Sequence, residues 1–232
     1  MRVLFVGNSH TYFNDMPETF ARMVEALTGE RAEVTMLAFS GRPLSWHREE
    51  YFSLRFALLY GSYDYCVLQQ QAHPFPPEAE TRAAVARILA LCRAGGVRPV
   101  LFMTWAQKHE PELSPVMSRF YRALAAETGA LLAPVGELFA HMQETHPEIE
   151  LFWQDGAHAS PYGSYLSAAV FASLLCRKRD LSALSDEGVD FGLDFAGENG
   201  LPLALEQPAQ ARVRLDPVKT GLIRWAVERW HV

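Results

Sequence analysis

Cysteine is scarce in this chain. The three present, Cys66, Cys92 and Cys176, lie far apart on apolar segments and form no Cys-x-x-Cys pair. An odd, scattered set of this kind argues against a disulfide framework and against a thiolate metal site; they read as buried free thiols of a reducing compartment. Positive charge is also lacking. With 21 Lys and Arg against 27 Asp and Glu, the net charge is −6 and no basic run reverses it locally. Nucleic acid and anionic membrane are therefore not the expected partners. No apolar run is long enough to span a bilayer. The first strand pattern starts at Arg2, so nothing reads as a secretory leader, and the cytoplasm is the expected location. The histidines show no His-x-x-x-His or His-Glu-x-x-His spacing, and no metal or other cofactor is expected. The Gly-x-Ser-x-Gly elbow of α/β-hydrolases is missing as well. There is no internal repeat and no low-complexity segment.

What is present is alternation. Arg2–Val6, Glu33–Phe39, Tyr65–Leu68, Pro99–Thr104 and Ala130–Pro134 read as five strands. They are near-continuously apolar, as parallel strands covered on both faces should be. Helical patterns lie between them. Asp15-Met-Pro-Glu18 reads as a capping box for a helix that Gly29 closes. Pro77 to Ala94 ends at Gly95-Gly96, and Pro115 to Thr128 ends at Gly129. Ser160-Pro161 reads as N-cap and first helical residue, followed by a stripe of Leu166, Ala169, Val170, Ser173 and Leu174. Strands alternating with helices imply a parallel sheet, whose ligands sit beyond the carboxyl ends of its strands. After about Asp180 the chain turns rich in Gly and acidic residues, as an irregular or extended segment packed on the core. Asp216-Pro217 then opens a last helix with Ile223, Val227 and Trp230 on one side. Residues 1–180 are expected to form the main domain, and 181–232 an extension packed on it.

Four polar features fall on the loops at that one sheet edge. Ser9, after the first strand, is flanked by Gly7 and Asn8, which suit a tight turn; a serine there either bonds the turn or acts as a nucleophile, given a base within reach. Asp155 and His158, three residues apart before the Ser160-Pro161 helix, could be that base and its orienting acid, or a plain surface turn. Gly41, after the second strand, lets backbone approach a developing oxyanion, or is an ordinary loop glycine. Gln69-Gln70-Gln71, after the third strand, are amide donors or a polar strand end. Aromatic and histidine side chains near these loops, Trp46, His47, His73, Trp105, His109 and Trp153, are candidate substrate-binding residues or packing.

These motifs resemble the SGNH hydrolases, the GDSL-like esterase superfamily. Gly7-Asn8-Ser9 matches the nucleophile block, Gly41 the second-block glycine, and Asp155-Gly-Ala-His158 the Asp-x-x-His of the last block. The resemblance covers roughly residues 1 to 180. It implies a three-layer α/β/α sandwich, flavodoxin-like, with a five-stranded parallel sheet. It implies a serine esterase in which Ser9, His158 and Asp155 form the catalytic set. The oxyanion donors would be the N–H groups of Ser9 and Gly41 and a glutamine amide. The third block departs from the family's Gly-x-Asn-Asp: Gln71 stands nearest the asparagine's position, with Gln69 the other candidate. His10 replaces the leucine of GDSL. The implied substrate is a small-molecule ester with a short acyl group, an O-acetyl on a carbohydrate being the specific instance. Two other readings stay open: a flavodoxin-like phosphate or flavin binder, and a non-catalytic ligand-binding module on the same fold. The oligomeric state is not legible.

Overall fold

The structure, a computed structural model, describes residues 1–190 and 212–230. Strand β1 (Arg2–Gly7) runs into the short helix α1 (Ser9–Tyr12) and, after a 3-10 turn, α2 (Met16–Thr28). Next come β2 (Glu33–Ala38), α3 (Leu44–Glu49), α4 (Tyr51–Tyr60) and β3 (Tyr65–Gln69). They are followed by α5 (Glu78–Gly95), β4 (Arg98–Phe102), α6 (Ser114–Thr128), β5 (Leu131–Ala133), α7 (Val135–Thr145) and α8 (Pro161–Cys176). A two-stranded antiparallel ribbon, β6 (Glu187–Val189) and β7 (Arg212–Arg214), precedes α9 (Pro217–Arg229).

The five main strands form one parallel sheet in the order β2-β1-β3-β4-β5. Its two faces carry separate cores because side chains alternate along each strand. Val3 and Phe5 of β1 point into one core, with α2, α7, α8 and α9. Leu4 and Val6 point into the other, with α3, α4, α5 and α6. The result is a three-layer α/β/α sandwich. Phe5 sits fully buried against the edges of Phe20 and Phe171, each with its centroid 5.7 Å away. Truncating such a ring to alanine costs about 3–5 kcal/mol.

Several local expectations change in three dimensions. Strand β2 is an edge strand, with Met36 and the following Phe39 left half exposed. Asp15 does not cap α2: its backbone is left-handed (φ 49°) and its side chain makes no cap bond. Ser160 and Asp216 do cap, each accepting from two backbone N–H groups of the following turn. Helix α8 carries no single stripe. It is buried almost all round, between the sheet, α2 and α9, and so is apolar or small on every side. Helices α3, α4 and α7 were not anticipated, because α3 and α4 lack a clean amphipathic period and α7 follows β5 without a loop. Of the segment after Asp180, the ribbon was not anticipated either, and residues 191–211 lie outside the described residues. All three cysteines are free; Cys66 and Cys92 are buried, whereas Cys176 is only half-buried. Among the described residues, no helix is long and apolar enough to cross a membrane.

Candidate active site

Ser9 is placed by the carboxyl end of β1. Gly7 ends the strand, and its role is close approach: a Cβ there would stand 2.4 Å from Thr11 Oγ1 and 2.5 Å from Gln69 Oε1. Gln69 uses that space. Its Oε1 accepts from the backbone N–H of Asn8 at 2.7 Å and from Thr11 Oγ1 at 3.0 Å, which fixes the turn before and after Ser9. Asn8 caps α1 by accepting from His10 N at 3.1 Å, and its Nδ2 donates to Arg42 O at 3.2 Å, tying the nucleophile turn to the Gly41 loop. Gly41 itself is left-handed (φ 67°), the conformation glycine adopts without strain.

His158 and Asp155 sit on a closed loop. Its ends pair at Phe152 and Ala159, and Trp153 N donates to His158 O at 2.8 Å. Asp155 Oδ1 accepts from the N–H groups of Ala157 and His158 at 2.9 and 3.0 Å, so the carboxylate organises its own turn. Two donors from the segment after β4 hold the loop from outside: Lys108 N to Gly156 O at 2.9 Å, and Trp105 Nε1 to Ala157 O at 2.8 Å. Asn14, also left-handed (φ 51°), donates to Ala159 O at 2.9 Å and so fastens the Ser9 segment to the base loop. The outcome is a continuous chain of contacts. Asp155 Oδ2 lies 2.5 Å from His158 Nδ1, and His158 Nε2 lies 2.8 Å from Ser9 Oγ. An acceptor-only carboxylate on Nδ1 selects the tautomer whose Nε2 can take a proton from the hydroxyl.

The surroundings are rich in rings. Phe13 stacks on His158 at 4.4 Å and 15°, and His10 lies 4.8 Å from it at 31°. His10 also meets Trp105 and His73. Burial, then the neighbouring His158 and His73, hold His10 well below the usual imidazole range. Burial and His158 likewise lower His73 to about 4. Burial raises Asp155, but the hydrogen bonds from the His158 ring and from two backbone N–H groups outweigh it and hold the carboxyl below its ordinary value. Asp155 therefore stays an anion beside two neutral imidazoles.

The other sequence candidates divide. Gln69 is fully buried, and with its oxygen taken by Asn8 and Thr11 its Nε2 turns to Gln70 O; it is closed within the protein. Gln70 is equally closed, accepting from Leu44 N and Gln71 N and donating to Thr81 Oγ1. Gln71 is half-buried, with one 3.3 Å bond to His73 O. His47 is buried, its Nε2–H donating to Gly7 O at 2.8 Å, so it braces β1 and does not line a cleft. Trp105 is buried too, stacked on Phe139 at 4.0 Å, and braces the base loop; its ring also lines a cavity of about 290 Å³ with Lys108, Phe139 and Glu144. Trp153 packs edge-on against Phe13, while Trp46 packs on Phe39 beneath Arg42. His109 stands beside Gly156. Thr11, Phe13 and Asn14 were missed. An asparagine two residues beyond a short helix is a signal for a left-handed turn, but nothing local reveals the ring stack.

No protein-family model and no curated protein matches this sequence. Solved structures do. A DUF4886 family protein from Bacteroides uniformis superposes with a TM-score of 0.74 at 14% identity, covering 98% of this chain and 93% of that one. A lipase/acylhydrolase from Enterococcus faecalis gives 0.59 at 15% identity over 74% of this chain and 94% of its own. An acetyl xylan esterase gives 0.60 at 15% identity over 75% and 98%. The fold is thus that of GDSL-like lipases and esterases. Those two enzymes match nearly whole against three quarters of this chain, whereas the Bacteroides protein matches almost all of it.

Proposed function

We propose that this protein is a serine hydrolase of small esters, with Ser9 as nucleophile, His158 as general base and Asp155 as its orienting anion. The observation that carries the reading is the unbroken Asp155–His158–Ser9 hydrogen-bond chain, built from residues 149 positions apart. In the reaction, Ser9 Oγ bonds to the ester carbonyl carbon as its proton passes to His158 Nε2. The carbonyl π pair moves onto oxygen. Collapse of that oxyanion expels the alcohol, which takes the proton from His158. Water, deprotonated by the same nitrogen, then releases the acid and restores Ser9. Asp155 favours the imidazolium that forms twice in this cycle.

The N–H of Ser9 opens α1, where a first-turn N–H has no intrahelical acceptor, and serves as one oxyanion donor. The N–H of Gly41 and the amide of Gln71 complete the set; Gln69 has no place in it, because its amide is spent on the nucleophile turn. Among the structural neighbours is an acetyl xylan esterase. A short acyl group, and specifically an O-acetyl on a carbohydrate, is the substrate we propose. Residues 1–180 carry the site and 181–232 pack on it, in a cytoplasmic protein without nucleic-acid or membrane partners.

Intact-mass analysis after treatment with a fluorophosphonate tests the assignment. One adduct on wild type, abolished in Ser9→Ala and in His158→Ala, is the expected result. A folded wild type that gains no mass would overturn the proposal and favour a ligand-binding module on this fold.

A further inference from the structure

The base loop lies at the surface. The side chains of Asp155 and His158 retain 33% and 24% of their exposure. Water can therefore compete for both hydrogen bonds that orient the imidazole. A histidine ring also turns readily about its Cβ–Cγ bond, whose torsion is broad and roughly two-fold. Both the bond to Asp155 and the bond to Ser9 lie in the ring plane, so a modest rotation weakens both at once. Something outside the hydrogen-bond chain must set that plane.

Two rings lie nearly parallel to His158 within 5 Å, Phe13 at 4.4 Å and 15° and His10 at 4.8 Å and 31°. Two rings cannot occupy the same space over one face, so they take opposite faces. Each is itself held. Phe13 is buried, meets Trp153 edge-on, and has its carbonyl bonded by Ser164 Oγ of α8 at 3.2 Å. His10 is wedged against Trp105 and His73 at 5.4 and 5.1 Å, with its backbone N–H on Asn8. The Nε2 of His10 is buried without a hydrogen-bond partner among the described residues. On that side His10 is placed by packing and not by a polar bond. The ring, more than its nitrogen, is what this position uses.

We propose that Phe13 and His10 form a two-sided ring clamp that fixes the plane of His158, and that both are positioning residues for the base. The inference rests on the reading of His158 given under Proposed function. His10 occupies the place next to the nucleophile and touches the base instead. The residue after Ser9 thereby reaches across to a loop 148 positions further along the chain. Phe13 adds a second effect: the imidazolium that forms during turnover faces an aromatic ring, an attractive arrangement.

The test is the rate of fluorophosphonate labelling, resolved into its limiting rate and its half-saturating concentration, for His10→Ala, His10→Phe and Phe13→Leu. His10→Ala and Phe13→Leu are expected to lower the limiting rate roughly ten- to a hundredfold, the scale of an ångström-level misplacement, with half-saturation unchanged. His10→Phe restores a ring without the nitrogen and is expected to recover most of the rate. Circular dichroism melts establish which variants are folded; should His10→Ala fail to fold, Phe13→Leu and His10→Phe still decide. Wild-type rates in folded His10→Ala and Phe13→Leu would overturn the clamp while leaving the proposed function intact. Equal loss in His10→Ala and His10→Phe would overturn it too, by showing that the nitrogen matters. A wild type that is not labelled at all removes the proposed function and the clamp with it.

Discussion

The glutamine run after β3 and the Asp155–His158 loop before α8 stand at the same edge of the sheet, and both are polar. Gln69 and Gln70 are at most 1% exposed, and each bonds on both ends of its amide. They are the material from which the nucleophile turn and the α3 start are built. Asp155 and His158 keep a quarter to a third of their side-chain surface, and their chain of bonds ends on a serine hydroxyl. A buried amide must close its hydrogen bonds within the protein because leaving one open is costly. A reacting group must leave one atom unspent. Closure of the hydrogen bonds, and not polarity or position, separates scaffold from chemistry at this edge.

Substitutions can break that contrast. The largest effect is expected for Asp155→Asn, which keeps the shape but offers His158 Nδ1 an amide in place of an anion; fluorophosphonate labelling should fall on the order of 10²- to 10⁴-fold. A loss under tenfold would mean that the loop is no more chemical than the glutamines. Gln71 is the one glutamine of the run left half open. Gln71→Ala is expected to slow labelling roughly 10²- to 10³-fold, as removal of an oxyanion donor does, with stability changed by under about 0.5 kcal/mol. Unchanged labelling would return Gln71 to the scaffold.

Gln69→Leu should act in the opposite manner. It strands the buried N–H of Asn8 and the Thr11 hydroxyl, at about 1–3 kcal/mol for each orphaned group, and urea unfolding will read the loss. A neutral result would mean that the run is not structural. The smallest effect concerns His73, which bridges the two regions. Its folded value of about 4 lies below the ordinary 6.5, so the unfolded chain takes up a proton first on acidification. Stability that is full above pH 6.5 is thus lost progressively towards pH 4. Asp15, raised to about 6 by burial and then by Glu18, works with opposite sign between 3.8 and 6. The comparison is therefore between variants: from pH 7 to pH 5, His73→Gln should lose about 2–4 °C less in Tm than wild type. An equal loss in both would place the acid sensitivity elsewhere.

Much of the frame was legible in the sequence. The five apolar runs are the five strands of the sheet, within a residue or two at their ends. Helix ends at Gly29, Gly96 and Gly129 and the caps at Ser160 and Asp216 follow from single side chains acting over one turn. Exposure was less legible. The run Glu33–Phe39 is apolar enough for an interior strand yet lies at an edge, because strand order is set by crossovers that no local pattern encodes. The Asp15 capping box failed because the chain reaches α2 through two successive left-handed residues, Asn14 and Asp15, which turn the carboxylate away.

By itself the sequence determined the alternation of strand and helix, the serine at the end of the first strand, and an Asp-x-x-His just ahead of a capped helix. These are statements about neighbours within a few residues, where propensity and period act. Only the tertiary structure decided that Gln69 belongs to the turn and Gln71 to the rim, that His47 and Trp105 are braces, and that Phe13 and His10 flank the base. Those outcomes depend on which buried polar atoms find partners and which rings meet, between residues tens to well over a hundred positions apart. Such contacts form only when the sheet and its helices have closed around them.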